Sequence, residues 1–240
     1  MVDPRTSIIS ERLKQIQRII AVSSGKGGVG KSIVATTLAL SLSHSGFKVG
    51  LFDLDFTSPS THVLLDVKDV QPTEEKGLIP PNVKGLKYMS IVYYSGNQAA
   101  PLRGAETSNA LIELLAVTLW GELDYLILDM PPGIGDAVLD LIKLVPNIEF
   151  LIVTTSSQLA FETVKKQLYL LQELKVPIVG IVENMKSADS KNVRQQTETM
   201  GIKILAEIPF DSSVESTIGN PERLMDTMIG KKVQAAAQAL

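Results

Sequence analysis

The chain has 240 residues, 45% of them hydrophobic and 20% charged, a balance that sets the expectation of one α/β domain spanning residues 1–240. Its net charge of −3 offers no global field for nucleic acid or an anionic membrane. No apolar run reaches the roughly 18 residues of a membrane span, and the absence of cysteine excludes disulfides and thiolate metal sites within this chain.

Residues 7–19 carry Ile9, Leu13 and Ile16 at helical spacing with charges between them, which predicts a short amphipathic helix in an N-terminal extension over 1–18. Asp3, Arg5, Glu11, Arg12 and Lys14 interrupt any leader-like apolar region, so a cytoplasmic location is the default expectation. Residues 18–23 are apolar and β-branched and read as a buried strand, and 32–43 read as a buried helix. Residues 47–54 read as a second strand, followed by a polar excursion over 66–85 that contains Pro72, Pro80 and Pro81. Strand character resumes at 86–94. A helix is expected over 107–120, with Leu111, Leu114, Leu115 and Leu119 on its core face. An apolar strand over 125–130 carries Asp129 at its end.

The remainder alternates. Strands are expected at 150–154, 176–182 and 202–208, and helices at 161–174, 192–200 and 221–240. Lys165, Lys166 and Gln167 are placed on the wet side of the 161–174 helix. Apolar strands separated by helices predict a doubly wound, mostly parallel sheet in a three-layer α/β/α arrangement. Ligands of such sheets bind at the carboxyl edge of the strands.

Between the first strand and its helix, residues 25 to 32 read Gly-Lys-Gly-Gly-Val-Gly-Lys-Ser. This is the phosphate-binding pattern G-x-x-x-x-G-K-[ST], in strand–loop–helix order. Gly25, Gly27, Gly28 and Gly30 let backbone N–H groups turn towards phosphate oxygens, with Lys26, Val29 and Ile33 completing the lining. Lys31 is the expected ligand of the β- and γ-phosphates, and the Ser32 hydroxyl of Mg²⁺. Lys26 is not required by the pattern.

Hydrolysis also needs a held metal and a positioned water. Asp53 and Asp55 end the second strand two residues apart, so both face one side if the strand continues. Asp129 ends the 125–130 strand as a Walker-B aspartate does. The expected metal set is therefore Ser32, Asp53, Asp55 and Asp129. Gly133 follows Pro131 and Pro132 and is expected to bring a backbone N–H to the γ-phosphate. Helix capping and a switch role stand equally open for Asp136. His44 and His62 have no partner at metal-ligand spacing and read as packing or surface residues.

The sequences GKGGVGKS with Lys26, DLDFTSPS at 53–60 and DMPPGIGD at 129–136 resemble the deviant-Walker-A ATPases of the ParA–MinD-like class. Within it they most resemble the Mrp-type ATPases, or iron–sulfur cluster carriers. The resemblance runs from about Ile19 to Pro221. It includes Leu102-Arg103-Gly104, the stretch from Trp120 to Tyr125, IVTT at 152–155, Glu183-Asn184-Met185 and Ile208-Pro209-Phe210-Asp211.

The resemblance implies Mg²⁺-dependent ATP hydrolysis and a homodimer formed on ATP binding. It places Lys26 on the nucleotide of the facing subunit, where a cation acts as an arginine finger does. It makes Asp55 the residue that orients the attacking water. It makes Asn184 the reader of adenine, with Pro209, Phe210 and Asp211 as a second base-contacting segment. Iron–sulfur apo-proteins and a cysteine-bearing homologue are the implied partners.

The departures are specific. The Cys-x-x-Cys pair that the family usually carries after its ENM triplet is missing, and residues 186 to 194 read KSADSKNVR. Neither Ser nor Asp replaces a soft thiolate pair well, so no cysteine-ligated cluster is expected in this chain. Residues 56–60 and 103–106 also depart from the family's DIYGPS and RGPM patterns.

Two alternatives share the phosphate loop. A Min-type or flagellar-number spatial regulator needs an amphipathic terminal helix. The Ala-rich segment after Lys231 has only Val233 and Leu240 as large apolar residues, so no stable membrane anchor is expected. A DNA-partitioning ATPase needs basic patches. With no basic run in the chain, no nucleic acid partner is expected.

Overall fold

The computed structural model describes residues 3–95, 105–187 and 192–240. Leu102, Arg103 and Gly104 therefore lie outside the described residues, as does the centre of the 186–194 segment. Helix α1 (Arg5–Leu13) precedes strand β1 (Ile16–Ser24), helix α2 (Lys31–His44) and strand β2 (Val49–Asp53). Next come the short helix α3 (Thr61–Leu64), a small antiparallel ladder of β3 (Thr73–Glu74) and β4 (Leu78–Ile79), and strands β5 (Asn82–Val83) and β6 (Leu86–Ser90). Helices α4 (Val92–Ser95) and α5 (Ala105–Val117), strand β7 (Leu123–Asp129) and helix α6 (Asp136–Leu144) follow. The chain then forms β8 (Ile148–Thr155), α7 (Gln158–Glu173), β9 (Ile178–Lys186), α8 (Asn192–Thr199) and β10 (Ile204–Pro209). A 3₁₀ turn (Ser212–Thr217), α9 (Pro221–Asp226) and α10 (Met228–Ala237) end it.

Eight strands form one sheet in the order β10-β9-β8-β1-β7-β2-β6-β5. Every pairing is parallel except that of β5 with β6. This is the doubly wound sheet expected from the alternating apolar strands. One face is covered by an apolar layer that includes Leu13, Leu115, Leu141 and Phe161. The other is covered by α2 and the C-terminal helices through Val34, Leu38, Leu224 and Val233. Strand register sets the site: Asp129 of β7 lies opposite both Val22 of β1 and Asp53 of β2. The start of the phosphate loop and two aspartates thus share one sheet edge.

Several expectations shift. The first helix stops at Leu13 because pairing with β7 already begins at Ile16, opposite Leu123. Strand character after residue 86 ends at Ser90, and Val92–Ser95 turns helical. Strand β9 runs on to Lys186, which puts Glu183, Asn184 and Met185 on a strand. The terminal helix is broken at Thr227, whose extended backbone (ψ 170°) ends α9 and whose hydroxyl accepts the Gly230 N–H at the start of α10. Gln167 is not on a wet face. It is 1% exposed and donates to the Ser23 hydroxyl at 2.7 Å. Among the described residues no helix is long and apolar enough to cross a membrane.

Candidate functional site

The loop between β1 and α2 turns through two left-handed glycines, Gly28 (φ 77°) and Gly30 (φ 83°), a conformation that costs a side-chain-bearing residue energy. Gly30 is the N-cap of α2, so the helix begins at Lys31 with its free N–H groups and positive dipole end facing the loop. Gly25 is pressed against α7, where a Cβ would stand 2.9 Å from the Val164 nitrogen. Val29 is buried, while Lys26, Gly27 and Gly28 are exposed. A cleft of about 380 Å³ opens here, lined by Gly27, Gly30, Lys31, Ser32, Asp55 and Pro132 among others.

The floor of the cleft is charged. The Lys31 ammonium donates to Asp129 Oδ1 at 2.5 Å and to the Ser32 hydroxyl at 3.3 Å, and it stands 3.7 Å from Asp55 Oδ2. Lys31 and Asp129 are buried, which makes their pairing obligatory in the absence of other charges. Burial pushes the Asp129 carboxyl above its ordinary range, and the Lys31 charge pulls against it. Asp129 Oδ2 is buried and has no hydrogen-bond partner among the described residues. The donors that meet here, a hydroxyl and a carboxylate oxygen without a partner, suit a hard, oxygen-seeking cation.

The two aspartates of β2 divide. Asp53, expected in the metal set, uses both oxygens internally. Oδ1 accepts the Asp55 N–H at 3.1 Å. Oδ2 accepts the N–H groups of Ser60 and Thr61 at 3.2 and 3.1 Å and the Thr61 hydroxyl at 2.7 Å. Asp55 binds Thr57 and Ser58 through Oδ1, and its Oδ2 is the oxygen nearest Lys31. The pair therefore shares a sheet edge but not a direction. Among the described residues no three His, Cys, Asp or Glu side chains converge as a metal cluster.

The neighbouring loops differ from expectation in detail. The Gly133 N–H, expected at a phosphate, donates to the Ser24 carbonyl at 2.7 Å. Asp136 does not cap α6: Gly135 holds that position, and Asp136 lies in the first helical turn, where its charge suits the helix dipole. Asn184 is 4% exposed and donates to the Val29 carbonyl at 3.0 Å. Its amide nitrogen would lie 2.3 Å from a Cβ on Gly30. Pro209 ends β10 and Phe210 is 69% exposed. Asp211 caps the 3₁₀ turn through Ser213, which holds its carboxyl below the usual range. Ile33 is half-buried beside Ser32 on α2. Lys26 is exposed at the rim of the same cleft and joins no ion pair among the described residues.

Thr61, Tyr88 and Gln167 were not foreseen. Thr61 lies eight residues from the carboxylate it binds, Tyr88 reaches it from β6, and Gln167 reaches β1 from α7. A lone polar residue within an apolar helix stripe is the signal that could have marked Gln167.

Comparison with known proteins agrees with this geometry. A family model described as ParA, NUBPL iron-transfer P-loop NTPase, matches residues 15–240. The iron-sulfur cluster carrier protein of Aquifex aeolicus is 35% identical over 250 residues, covering 96% of this chain and 69% of its own length. The chloroplastic Fe-S cluster assembly factor HCF101 of Oryza sativa is 38% identical over 233 residues, covering 91% of this chain and 44% of its own. The chain thus spans less than half the length of that factor. A nucleotide-binding protein of Archaeoglobus fulgidus, solved in complex with ADP, matches with a TM-score of 0.75 and 31% identity, over 96% of this chain and 92% of that one. The cell division ATPase MinD of Pyrococcus furiosus shares the fold, with a TM-score of 0.70 and 22% identity over 93% of this chain and 98% of its own.

Proposed function

The chain belongs to the ParA family of NUBPL iron-transfer P-loop NTPases, and from that premise we propose that it binds and hydrolyses ATP with Mg²⁺ as a nucleotide-gated dimer serving iron–sulfur protein maturation. The observation that carries this reading is the Lys31 ammonium, held 2.5 Å from Asp129 and 3.7 Å from Asp55 at the N-terminus of α2. A buried cation so placed is a phosphate ligand in waiting.

The residues divide the work. Backbone N–H groups from Gly27 to Ile33 hold the phosphates, with the α2 dipole behind them. Lys31 turns from Asp129 to the β- and γ-phosphate oxygens. Asp129 and the Ser32 hydroxyl fit Mg²⁺, the former with its partnerless Oδ2. Bound there, Mg²⁺ supplies neutralisation of phosphate charge. Asp53 leaves the metal set, because its oxygens are committed to the 55–61 loop. Asp55 orients the attacking water through Oδ2. The Asn184 amide gives one hydrogen to Val29 and keeps a second, with its carbonyl oxygen, for the edge of adenine. Lys26 is free to reach the nucleotide of a second subunit.

A thiolate-held cluster has no ligands in this sequence. The maturation role therefore falls to a cluster-independent derivative, or to a mixed dimer with a cysteine-bearing homologue, acting on an iron–sulfur apo-protein. The membrane-regulator alternative needs a free amphipathic end, whereas α10 buries Ile229, Val233 and Ala236 in the α2 layer.

The test is Mg²⁺-ATP hydrolysis by the purified chain beside Lys31→Ala, with light scattering in ATP·Mg²⁺ and in ADP. Activity above the variant and a doubled mass with ATP alone are expected. Equal rates in the two proteins would remove the enzyme reading.

A further inference from the structure

We propose that Asp53, Thr61 and Tyr88 form a buried clasp that positions Asp55, and that Thr61 and Tyr88 are thereby positioning residues for hydrolysis. The inference rests on the reading of Asp55 as the residue that orients the attacking water.

The clasp is closed at both ends of one short loop. Asp53 Oδ1 takes the N–H of Asp55 at the beginning of the loop, and Oδ2 takes the N–H groups of Ser60 and Thr61 at its end. One carboxylate on the last residue of β2 thus fixes both feet of the segment that carries Asp55. Ser60, the N-cap of α3, makes no side-chain capping bond. Asp53 does that work from the neighbouring strand.

The Thr61 hydroxyl hydrogen is committed to Asp53 Oδ2 at 2.7 Å. The contact of 2.9 Å between Thr61 Oγ1 and the Tyr88 hydroxyl therefore runs from tyrosine to threonine. Burial pushes the Tyr88 phenol well up, so it stays protonated and remains a donor. Thr61, Tyr88 and Asp53 are all essentially excluded from water. Removing the Thr61 hydroxyl takes one donor from Asp53 and the Thr61 contact from the buried Tyr88 hydroxyl, and removing the Tyr88 hydroxyl leaves Thr61 Oγ1 bonded to Asp53 alone. Strand β6 carries Tyr88 and is paired to β2 with Leu51 opposite Tyr88, so the base of the clasp is the sheet itself.

The consequence is geometric. With its feet fixed, the loop turns Asp55 Oδ1 inward onto Thr57 and Ser58 and leaves Oδ2 towards Lys31. A rotation of the loop changes which oxygen faces the cleft. The phosphate loop hangs separately from β1 and meets this loop through the 3.7 Å contact of Lys31 with Asp55. The clasp therefore acts chiefly on the chemical step, with a smaller effect on nucleotide binding.

The experiment compares Thr61→Val, Thr61→Ser, Tyr88→Phe and Asp55→Asn in the full chain, reading kcat, KM for ATP and affinity for a fluorescent ADP. Thr61→Val is expected to lower kcat by about tenfold or more, with ADP affinity within about twofold of the parent. Thr61→Ser, which keeps the hydroxyl, should restore most of that loss, and Tyr88→Phe should lower kcat by about threefold. Circular dichroism checks folding, and if Thr61→Val does not fold, Tyr88→Phe against Thr61→Ser carries the test. Parental kcat in Thr61→Val or Tyr88→Phe while Asp55→Asn is inactive overturns the clasp and spares the role of Asp55. Parental kcat in Asp55→Asn overturns that role and the clasp with it. Equal losses of kcat and ADP affinity in Thr61→Val would assign the clasp to stability alone.

Discussion

The amide of Asn184 donates to the carbonyl of Val29 at 3.0 Å, tying the end of β9 to the middle of the phosphate loop. The residue expected to read the base is thus also a prop for the loop that holds the phosphates. The contact is close enough to dictate the neighbouring residue. Gly30 has φ 83°, and a Cβ there would meet the Asn184 amide at 2.3 Å. Gly30→Ala should displace the prop and strain the turn, at a cost of about 1–3 kcal/mol. Fluorescent-ADP titration is expected to show binding lost in Gly30→Ala and weakened about tenfold in Asn184→Ala. Unchanged affinity in both would mean that the prop does not shape the site.

Lys26 is exposed, while Lys31 is buried against two carboxylates. Lys26→Ala should therefore keep ATP affinity within about threefold and slow hydrolysis by about 10³-fold or more. Mixing the variant with Lys31→Ala provides a sharper measurement. A mixed dimer retains one intact Lys31 and one intact Lys26, arranged across a single nucleotide, so steady-state activity should reappear on mixing. No recovery would place Lys26 outside the facing site.

Asp129 sets a pH dependence. Burial raises its carboxyl to about 7, against the pull of Lys31, whereas an unfolded aspartate titrates near about 3.9. The native state then holds a proton that the unfolded chain has released across that window. Stability from this group is present below roughly pH 4 and is lost as pH rises through about 7. Asp129→Asn does not titrate, so its melting temperature relative to the parent should climb between about pH 5 and pH 8. A flat difference would show that Lys31 keeps Asp129 ionised throughout.

Gly230 lies where α10 crosses the end of α9. A Cβ there would stand 2.4 Å from the Met225 carbonyl oxygen and 2.6 Å from that of Leu224. Backbone oxygens cannot swing aside as a side-chain tip can, so Gly230→Ala should cost about 1–3 kcal/mol. Urea denaturation would report it as an earlier midpoint. Hydrolysis per folded molecule should stay near the parental value, since Gly230 is not among the residues that line the phosphate cleft. A loss of rate without a shift in midpoint would contradict that division.

The parallel sheet was legible because its strands are apolar on both faces, and the phosphate loop because glycine and lysine spacing there reflects a local need. Asp129 could be foreseen for the same reason: it ends a strand and register does the rest. What one sequence does not display is which oxygen of a carboxylate is already taken. Asp53 and Asp55 look alike in DLDFTSPS, yet one is consumed by Thr61 and the other faces Lys31. That difference depends on Thr61 of α3 meeting Tyr88 of β6, a contact with no local pattern. Gln167 was misplaced for a related reason, as its partner Ser23 lies 144 residues away.

The bond from the Gly133 N–H to the Ser24 carbonyl has a mechanical meaning. Ser24 also gives its hydroxyl to the Lys26 carbonyl at 3.0 Å. The turn after Asp129 and the first bend of the phosphate loop are therefore two grips on one lever. Pulling Gly133 outward either snaps a 2.7 Å bond or drags Ser24, and with it the backbone of Lys26. The exposed Ile134 sits at the outer end of that lever, beside Gly133.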